Sequence, residues 1–215
     1  MIENITIRPF DIHKDLDDAL LCFNEGFYHS HWPFVDHALP QFNRDCIRLI
    51  HKVSNQSYTA EKDGRVCGIL LGAAPVKIRE IILALVFISS IMLPKLIVNA
   101  YQFKTVTWKH FFRVLYGYYL FLFLHPFGLR ISEITLFISR NGYRGQGMGR
   151  MLMDAYIESL KMKNLKVAIV CTDTALSYYF YESYGFEVAG KFDMKAYKYS
   201  IPGKKFTGLI YKINP

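Results

Sequence analysis

The sequence predicts an α/β fold, and three stretches carry the prediction. The apolar run at 134–138 leads into Tyr143-Arg144-Gly145-Gln146-Gly147-Met148-Gly149-Arg150 and then a helical stretch, which reads as strand, glycine turn and helix start. A second short apolar run at 165–171, suited to a buried strand, precedes a helix over 175–184 that Gly185 stops. Nearer the N-terminus, strands at 58–61 and 66–72 flank Lys62-Asp63-Gly64-Arg65, whose Asp-Gly pair is a strong hairpin signal. Strands that alternate with helices in this way build a sheet covered by helices.

Taken in order, Ile5-Thr6-Ile7-Arg8-Pro9 alternates as a first strand, and 16–27 sets Leu20, Leu21, Phe23 and Phe27 at helical spacing. The loop 28–37 that follows, between two helices, holds three histidines and three aromatic residues. His29 and His31 with His37 or Asp36 match zinc ligands by type, but H-x-H on a loop without cysteines is a weak signature, and no metal site is expected. Packing of Trp32 and Phe34 against the core and a substrate wall both remain open for this loop. Thr172-Asp173-Thr174 supplies N-cap candidates for the helix at 175–184.

The stretch 75–130 is 56 residues long and strongly apolar and aromatic. Its run at 81–93 is ended by Pro94-Lys95 and its run at 114–124 by His125-Pro126, so two or three helices are expected. Each run is shorter than the ~20 residues that cross a bilayer, and Lys95, Lys104, Lys109 and Arg113 interrupt any longer span. Three roles compete: a cap that encloses an apolar substrate, a dimer interface, and a helix pair lying on a membrane surface. Serine, asparagine and glutamine punctuate the runs, which ranks cap or interface above membrane.

The glycine turn is an anion site by its chemistry. Missing Cβ atoms let a ligand approach the main chain, and the following helix points unpaired N–H groups and its positive dipole end at the turn. A pyrophosphate suits that site. Gly149 is followed by Arg150 and Met151 rather than Lys and Ser or Thr, which excludes a Walker loop. The order G-x-G-x-G also departs from the dinucleotide G-x-G-x-x-G. Arg144-Gly145-Gln146-Gly147-Met148-Gly149 instead resembles the R-x-x-G-x-G acyl-CoA loop of the GCN5-related N-acetyltransferases, the GNAT family. About thirty residues on, Phe180-Tyr181-Glu182-Ser183-Tyr184-Gly185-Phe186 resembles that family's F-Y-E-x-x-G-F signature, which closes the cofactor cleft from the other side.

The resemblance implies the GNAT acyl-CoA N-acyltransferase fold: a mixed central sheet flanked by helices in a single domain over 1–215. It makes 75–130 a helical insertion between the third and fourth strands, where the family commonly has a tight turn. It also implies acetyl-CoA as cosubstrate and a primary amine as acceptor, attacking the thioester directly in a ternary complex. An amine titrates near ~10 and must lose a proton near neutral pH, and Glu133, eleven residues before Arg144, stands where family members often carry a glutamate base. In an alternating strand Glu133 shares a face with Thr135, Phe137 and Ser139, where burial would raise its basicity. Tyr181 fills the family's position for the acid that protonates the leaving thiolate, with Tyr178 and Tyr184 on a related face.

By the same resemblance the pantetheine arm lies beside the main chain of Phe137 and Ser139, and the pyrophosphate on 144–149 with Arg144, Gly145, Gln146, Gly147, Met148 and Gly149. Arg150 and a group of Lys161, Lys163 and Lys166 are further phosphate candidates, though lysines at a helix end are also a solvated cap. Thr174 stands where the family often has asparagine, Ser139 where valine is common and Asn141 where proline is common. These departures loosen the match and put an amide contact from position 174 in doubt.

Composition agrees with one folded unit. The 215 residues are 52% hydrophobic and 20% charged, enough to bury a sizeable core, and no Pro, Gly or Ser-rich linker divides them. Four cysteines stand singly, and the first residues lack a signal peptide's basic and apolar regions, so a cytoplasmic setting with free thiols is expected, peripheral to a membrane if 75–130 binds one. The net charge of +8 suits an anionic cofactor, while the scattered basic residues lack any nucleic-acid motif, and no nucleic acid is expected. Cys171 ends a strand near the cleft, but a lone buried cysteine is usually inert, so no covalent intermediate is expected. The contrasting reading is a non-catalytic acyl-CoA-binding or membrane-associated module whose apolar stretch recruits a partner.

Overall fold

Seven strands hydrogen-bond into one sheet in the order β1-β2-β3-β4-β5-β7-β6 in a computed structural model of the chain. The structure describes residues 5–27, 40–74, 78–105, 107–109, 111–112, 131–174, 176–193 and 207–215. The loop at 28–37 and the apolar run at 114–124 lie outside them.

The strands are β1 (Ile5–Pro9), β2 (Gln56–Lys62), β3 (Arg65–Ala73), β4 (Ile131–Ser139), β5 (Val167–Asp173), β6 (Glu187–Asp193) and β7 (Thr207–Ile213). The helices are α1 (Leu16–Phe27), α2 (Pro40–Val53), α3 (Ile78–Phe87), α4 (Leu93–Ile97), α5 (Met148–Met162) and α6 (Tyr179–Tyr184). Neighbouring strands are antiparallel except β4 and β5, which run parallel and are joined by α5 as a parallel pair requires. The β2–β3 turn has Asp63 at φ 53° and Gly64 at φ 73°, the paired left-handed conformation that makes Asp-Gly a hairpin turn.

Each face of the sheet carries its own core. On one side α5 buries Leu152, Met153, Tyr156 and Leu160 against Leu70, Ile134, Ala168 and Val170. On the other, α1 and α2 bury Leu20, Phe23 and Ile47 against Ile69, Leu71, Leu136 and Ile138. Gly72 is required by close approach: a Cβ there would meet the Tyr156 ring at 2.5 Å. The edge strand β1 is tied down by Arg8, which bonds both Asp15 oxygens at 2.8 Å and Glu61 at 2.7 Å.

Between β3 and β4 the chain is helical from Ile78 to Ile97, with a π-helical turn over Ile88–Met92 joining α3 to α4. The sequence reading ended this run at Pro94, but the helix passes through it. A proline lacks an N–H and crowds the carbonyl four residues back, and the wider i→i+5 turn just before it, with Leu93 N–H on Ile88 O, eases that crowding. The stop comes at Asn99, at φ 49°, whose side-chain oxygen accepts the Phe103 N–H at 2.8 Å. No helix among the described residues is long and apolar enough to cross a membrane.

A third core fastens this segment to α2. Phe87, Met92, Tyr101 and Phe103 pack on Phe42, and beside them Asp45, 1% exposed, accepts from Lys95 Nζ at 2.6 Å and from the Tyr101 hydroxyl at 2.7 Å. Arg48 adds a third contact at 3.2 Å. Asp45→Ala leaves a buried phenol and an ammonium without their acceptor. The expected loss is about 2 kcal/mol of unfolding free energy, below the full buried-pair cost because water reaches Lys95, and denaturant titration measures it.

Candidate active site

The site is built on an irregularity in β4. Leu71 pairs with Leu136 and Gly72 with Ile134, so Thr135 is one residue too many for β3 and forms a bulge. Its hydroxyl donates to Leu71 O at 2.9 Å and lies 2.9 Å from Ser54 Oγ at the end of α2. The extra residue switches faces: Ile134 joins the α5 core, whereas Leu136 and Ile138 join the α1–α2 core. Strict alternation put Glu133, Thr135, Phe137 and Ser139 on one face, and the bulge overturns that. Phe137 packs on the α5 side beside Phe180 and Tyr181, at ring distances of 5.0 and 6.2 Å, with Ser139 on its face, while Glu133 belongs to the opposite face.

The bulge coincides with a parting of strands. β4 pairs with β5 from Ile131↔Val167 to Ile134↔Val170, and beyond that point β5 continues Cys171–Asp173 on β7 alone. The β4 backbone from Leu136 to Ser139 pairs with β3 on one side and is left unpaired by β5 on the other. An extended ligand can add to such an edge as a strand does.

At the end of β4 the glycines divide their work. Gly145 and Gly147 have φ of 80° and 79°, and a Cβ on either would meet nothing within 4 Å, so the turn is left-handed and open to a ligand. Gly149 serves packing instead: a Cβ would come within 3.3 Å of both Phe137 and Phe180. Gly147 caps α5 without a side-chain bond, and no acid occupies the first turn, so the N–H groups of Met148, Gly149 and Arg150 face the loop with the dipole's positive end. The Met148 side chain is buried in the core and leaves only its main chain for a ligand.

Around the loop, Arg144 and Gln146 are exposed, and Gln146 Oε1 accepts from Lys62 Nζ at 3.2 Å. Arg150 lies 5.4 Å from the Tyr184 ring centre, and Tyr184 donates to Asp154 at 2.6 Å. A clamp that sequence reasoning missed pins the loop: Glu25 of α1 accepts from Arg140 Nε at 3.0 Å and from the Asn141 N–H at 2.9 Å. Lys161, Lys163 and Lys166 lie at or beyond the far end of α5, at least about 20 Å from its start at ~1.5 Å per residue, which removes them as partners of a phosphate at the loop.

Beyond the cleft, α6 begins at Tyr179, four residues later than expected, and has no side-chain cap. The Thr174 hydroxyl accepts the Thr207 N–H at 3.1 Å and its own N–H bonds Thr207 O, so it secures β7 rather than capping α6. Gly185, at φ 113°, ends α6 as expected. Tyr181 is 7% exposed, packed edge-on to Phe180 and Phe186 and stacked on Tyr211 at 5.7 Å.

Glu133 and Tyr181 lie on opposite faces of the sheet. Burial alone raises the Glu133 carboxyl from 4.5 to about 7, and burial also raises the Tyr181 phenol, with a contribution from Cys171. Burial and the nearby Glu133 push the Cys171 thiol up to about 12, so it stays protonated and a poor nucleophile. Cys171 thus lies within electrostatic reach of both groups. Among the described residues no cluster of His, Cys, Asp and Glu suits a metal ion.

Gly147→Ala forces a Cβ into a left-handed position at a cost of about 1 kcal/mol. It also crowds the open face of the turn, and calorimetric titration with coenzyme A is expected to show at least about tenfold weaker binding. Gly149→Ala, which presses on Phe137 and Phe180, is expected to lower the melting temperature more than the affinity.

Residues 130–196, which span β4, the glycine loop, α5, β5, α6 and β6, match the family model of the acetyltransferase (GNAT) domain. No curated protein sequence matches the chain. Among solved structures, an N-acetyltransferase from Staphylococcus aureus Mu50 superposes with a TM-score of 0.60 at 13% identity, covering 99% of each chain. A ribosomal-protein-alanine N-acetyltransferase from Brucella melitensis gives 0.58 at 16% identity, covering 98% of this chain and 99% of that one. A Salmonella typhimurium protein solved with its cofactor acetyl-CoA gives 0.56 at 13% identity over 98% and 93%. At such identities the superpositions speak for the fold, while the family match falls on the parted strand, the loop and the closing helix. Over 130–196 the chain is similar to the GNAT acetyltransferase domain, and its fold is that of solved N-acetyltransferases.

Proposed function

We propose that the enzyme transfers the acetyl group of acetyl-CoA to a primary amine by direct attack while both substrates are bound, with Glu133 as base and Tyr181 as acid. The observation that supports the reading is Glu133 itself, a carboxyl one residue before the last β4–β5 pair whose proton affinity burial raises to about 7. A base poised there removes an ammonium proton near neutral pH, the optimum for general-base work.

The cleft fits an acyl-CoA. Gly145 and Gly147 leave their Cβ positions open, the first N–H groups of α5 suit a pyrophosphate, Arg144 and Arg150 add positive charge, and the free edge at Phe137 and Ser139 suits the pantetheine amides. The acyl donor supplies an electrophilic thioester carbonyl carbon. Glu133, on one face, takes the proton the amine must lose as its lone pair forms the new carbon–nitrogen bond. Tyr181, on the other, gives a proton to the sulfur as the carbon–sulfur bond breaks. Its raised proton affinity keeps it loaded throughout the working range. Cys171 forms no acyl intermediate.

The unit is one acetyltransferase domain over 1–215, with 75–130 an added segment that serves as a cap, a dimer interface or a membrane contact. A reducing cytoplasm suits the four free cysteines. Release of free coenzyme A across a panel of amines identifies the acceptor class. Binding of acetyl-CoA with no turnover on any amine contradicts this reading.

For wild type, kcat is expected to rise with pH through about 7, and Glu133→Gln to lower it about a hundredfold and flatten the profile. Stability moves the other way. The folded state holds the Glu133 proton between 4.5 and about 7 and the unfolded state does not, so wild type loses on the order of 3 kcal/mol as pH rises through that window. Glu133→Gln removes the loss, and scanning calorimetry is expected to show the variant melting higher than wild type at about pH 8 and matching it at about pH 4. Tyr181→Phe is expected to lower kcat while the Kd for acetyl-CoA stays within about twofold, and an unchanged kcat rejects the acid role.

A further inference from the structure

The helical run Ile78 to Ile97 is two-faced in a way the acetyl-transfer site does not use. Its inner face is committed: Ala84, Phe87 and Met92 are buried, and Lys95 bonds the buried Asp45. Its outer face is apolar and uncovered among the described residues. Ile82, Leu85, Val86, Leu93, Ile97 and Val98 are each 46–75% exposed, and the run 81–94 contains no charged residue. Exposed large apolar side chains elsewhere in the described residues are mostly scattered singly, which is ordinary, whereas these form a stripe at helical spacing.

Charge says what covers the stripe. Residues 75–130 hold seven basic residues and a single acid, Glu80, in a chain of net charge +8. Arg79 is exposed at the start of the run, and exposed Lys104 and Lys109 flank its end, where Trp108 packs in the same cluster as Leu96. Beside these lysines Phe112, 59% exposed, stacks on Trp108 at 5.8 Å, and Trp and Phe are among the residues that interfacial helices bury in the lipid boundary. A second copy of the chain would bring the same basic flanks together, whereas an anionic lipid surface complements them while taking up the aliphatic stripe.

We infer that the outer face of α3 and α4 seats the enzyme on an anionic membrane surface, lying in the interface rather than crossing it. The inner face is fixed to α2 through Phe42 and Asp45, so the domain rides on the bilayer through this run. The inference stands apart from the roles of Glu133 and Tyr181.

The test is sedimentation of the full chain with vesicles. Binding to phosphatidylcholine mixed with phosphatidylglycerol, exceeding that to phosphatidylcholine alone and falling as salt rises, is expected. Val86→Asp with Ile97→Asp is expected to lower the bound fraction about tenfold or more, and Lys104→Glu with Lys109→Glu to abolish the preference for anionic vesicles. Coenzyme A binding by each variant reports that the domain is folded. Absence of vesicle binding by wild type overturns the inference, whether the chain is then monomeric or forms a dimer that the apolar-face variant dissociates. Equal vesicle binding by the folded apolar-face variant overturns it as well.

Discussion

Thr135 has no register partner in β3, and much of the site's geometry follows from that single extra residue. A regular β4 would carry Glu133 and Phe137 on the same face and could stay paired with β5 along its length. With the bulge, Phe137 turns to the α5 side and packs near Phe180 and Tyr181, Glu133 stays on the other, and β4 leaves β5 after Ile134. The bulge is stabilised locally. Ser54, Thr135 and the Leu71 carbonyl form a chain of hydroxyl contacts, and Gly72 opposite leaves room for the Tyr156 ring. A chain that must expose backbone on one edge while burying side chains on both faces needs such a register change.

Rigid surroundings make the opening usable. The glycine turn is left-handed twice and carries no side-chain cap, yet Glu25 holds Arg140 and Asn141 at its entrance and Gly149 is wedged on Phe137 and Phe180 at its exit. Donors fixed before a ligand arrives need no reorganisation when it binds, which is the main contribution an anion loop makes. Electrostatics follows from burial in the same way. Burial raises the Glu133 carboxyl to about 7, and the Tyr181 phenol, enclosed by aromatic rings, keeps its proton.

Features set by local chemistry were legible in the sequence. Ile5–Pro9 and Leu16–Phe27 appear as read, because alternation and helical spacing were undisturbed there, and Asp63-Gly64 makes the expected turn. The glycine loop and Gly185 were legible for the same reason, since positive φ selects glycine. The bulge was not, since a threonine inside an apolar strand gives no sign that it lacks a partner. α6 was read four residues too long because Thr174, an N-cap by type, is engaged by Thr207 from a strand the sequence hardly signals. That strand, β7, and its partner β6 are interrupted by Gly208 and Gly190, and β6 lies at the sheet's edge with little to bury. Pro94 misled in the opposite direction, since a π-helical turn absorbs it, and the Glu25 clamp joins residues far apart in the chain that no local pattern connects.

The central claim is that the parted edge of β4 and the adjoining glycine turn form the acyl-donor site. Hydrogen exchange of the backbone, with and without coenzyme A, tests it most directly. Slower exchange confined to peptides covering 135–150, with 78–98 unchanged, is the expected result. Unchanged exchange across 135–150 at saturating coenzyme A, or protection centred on another part of the sheet, would contradict it.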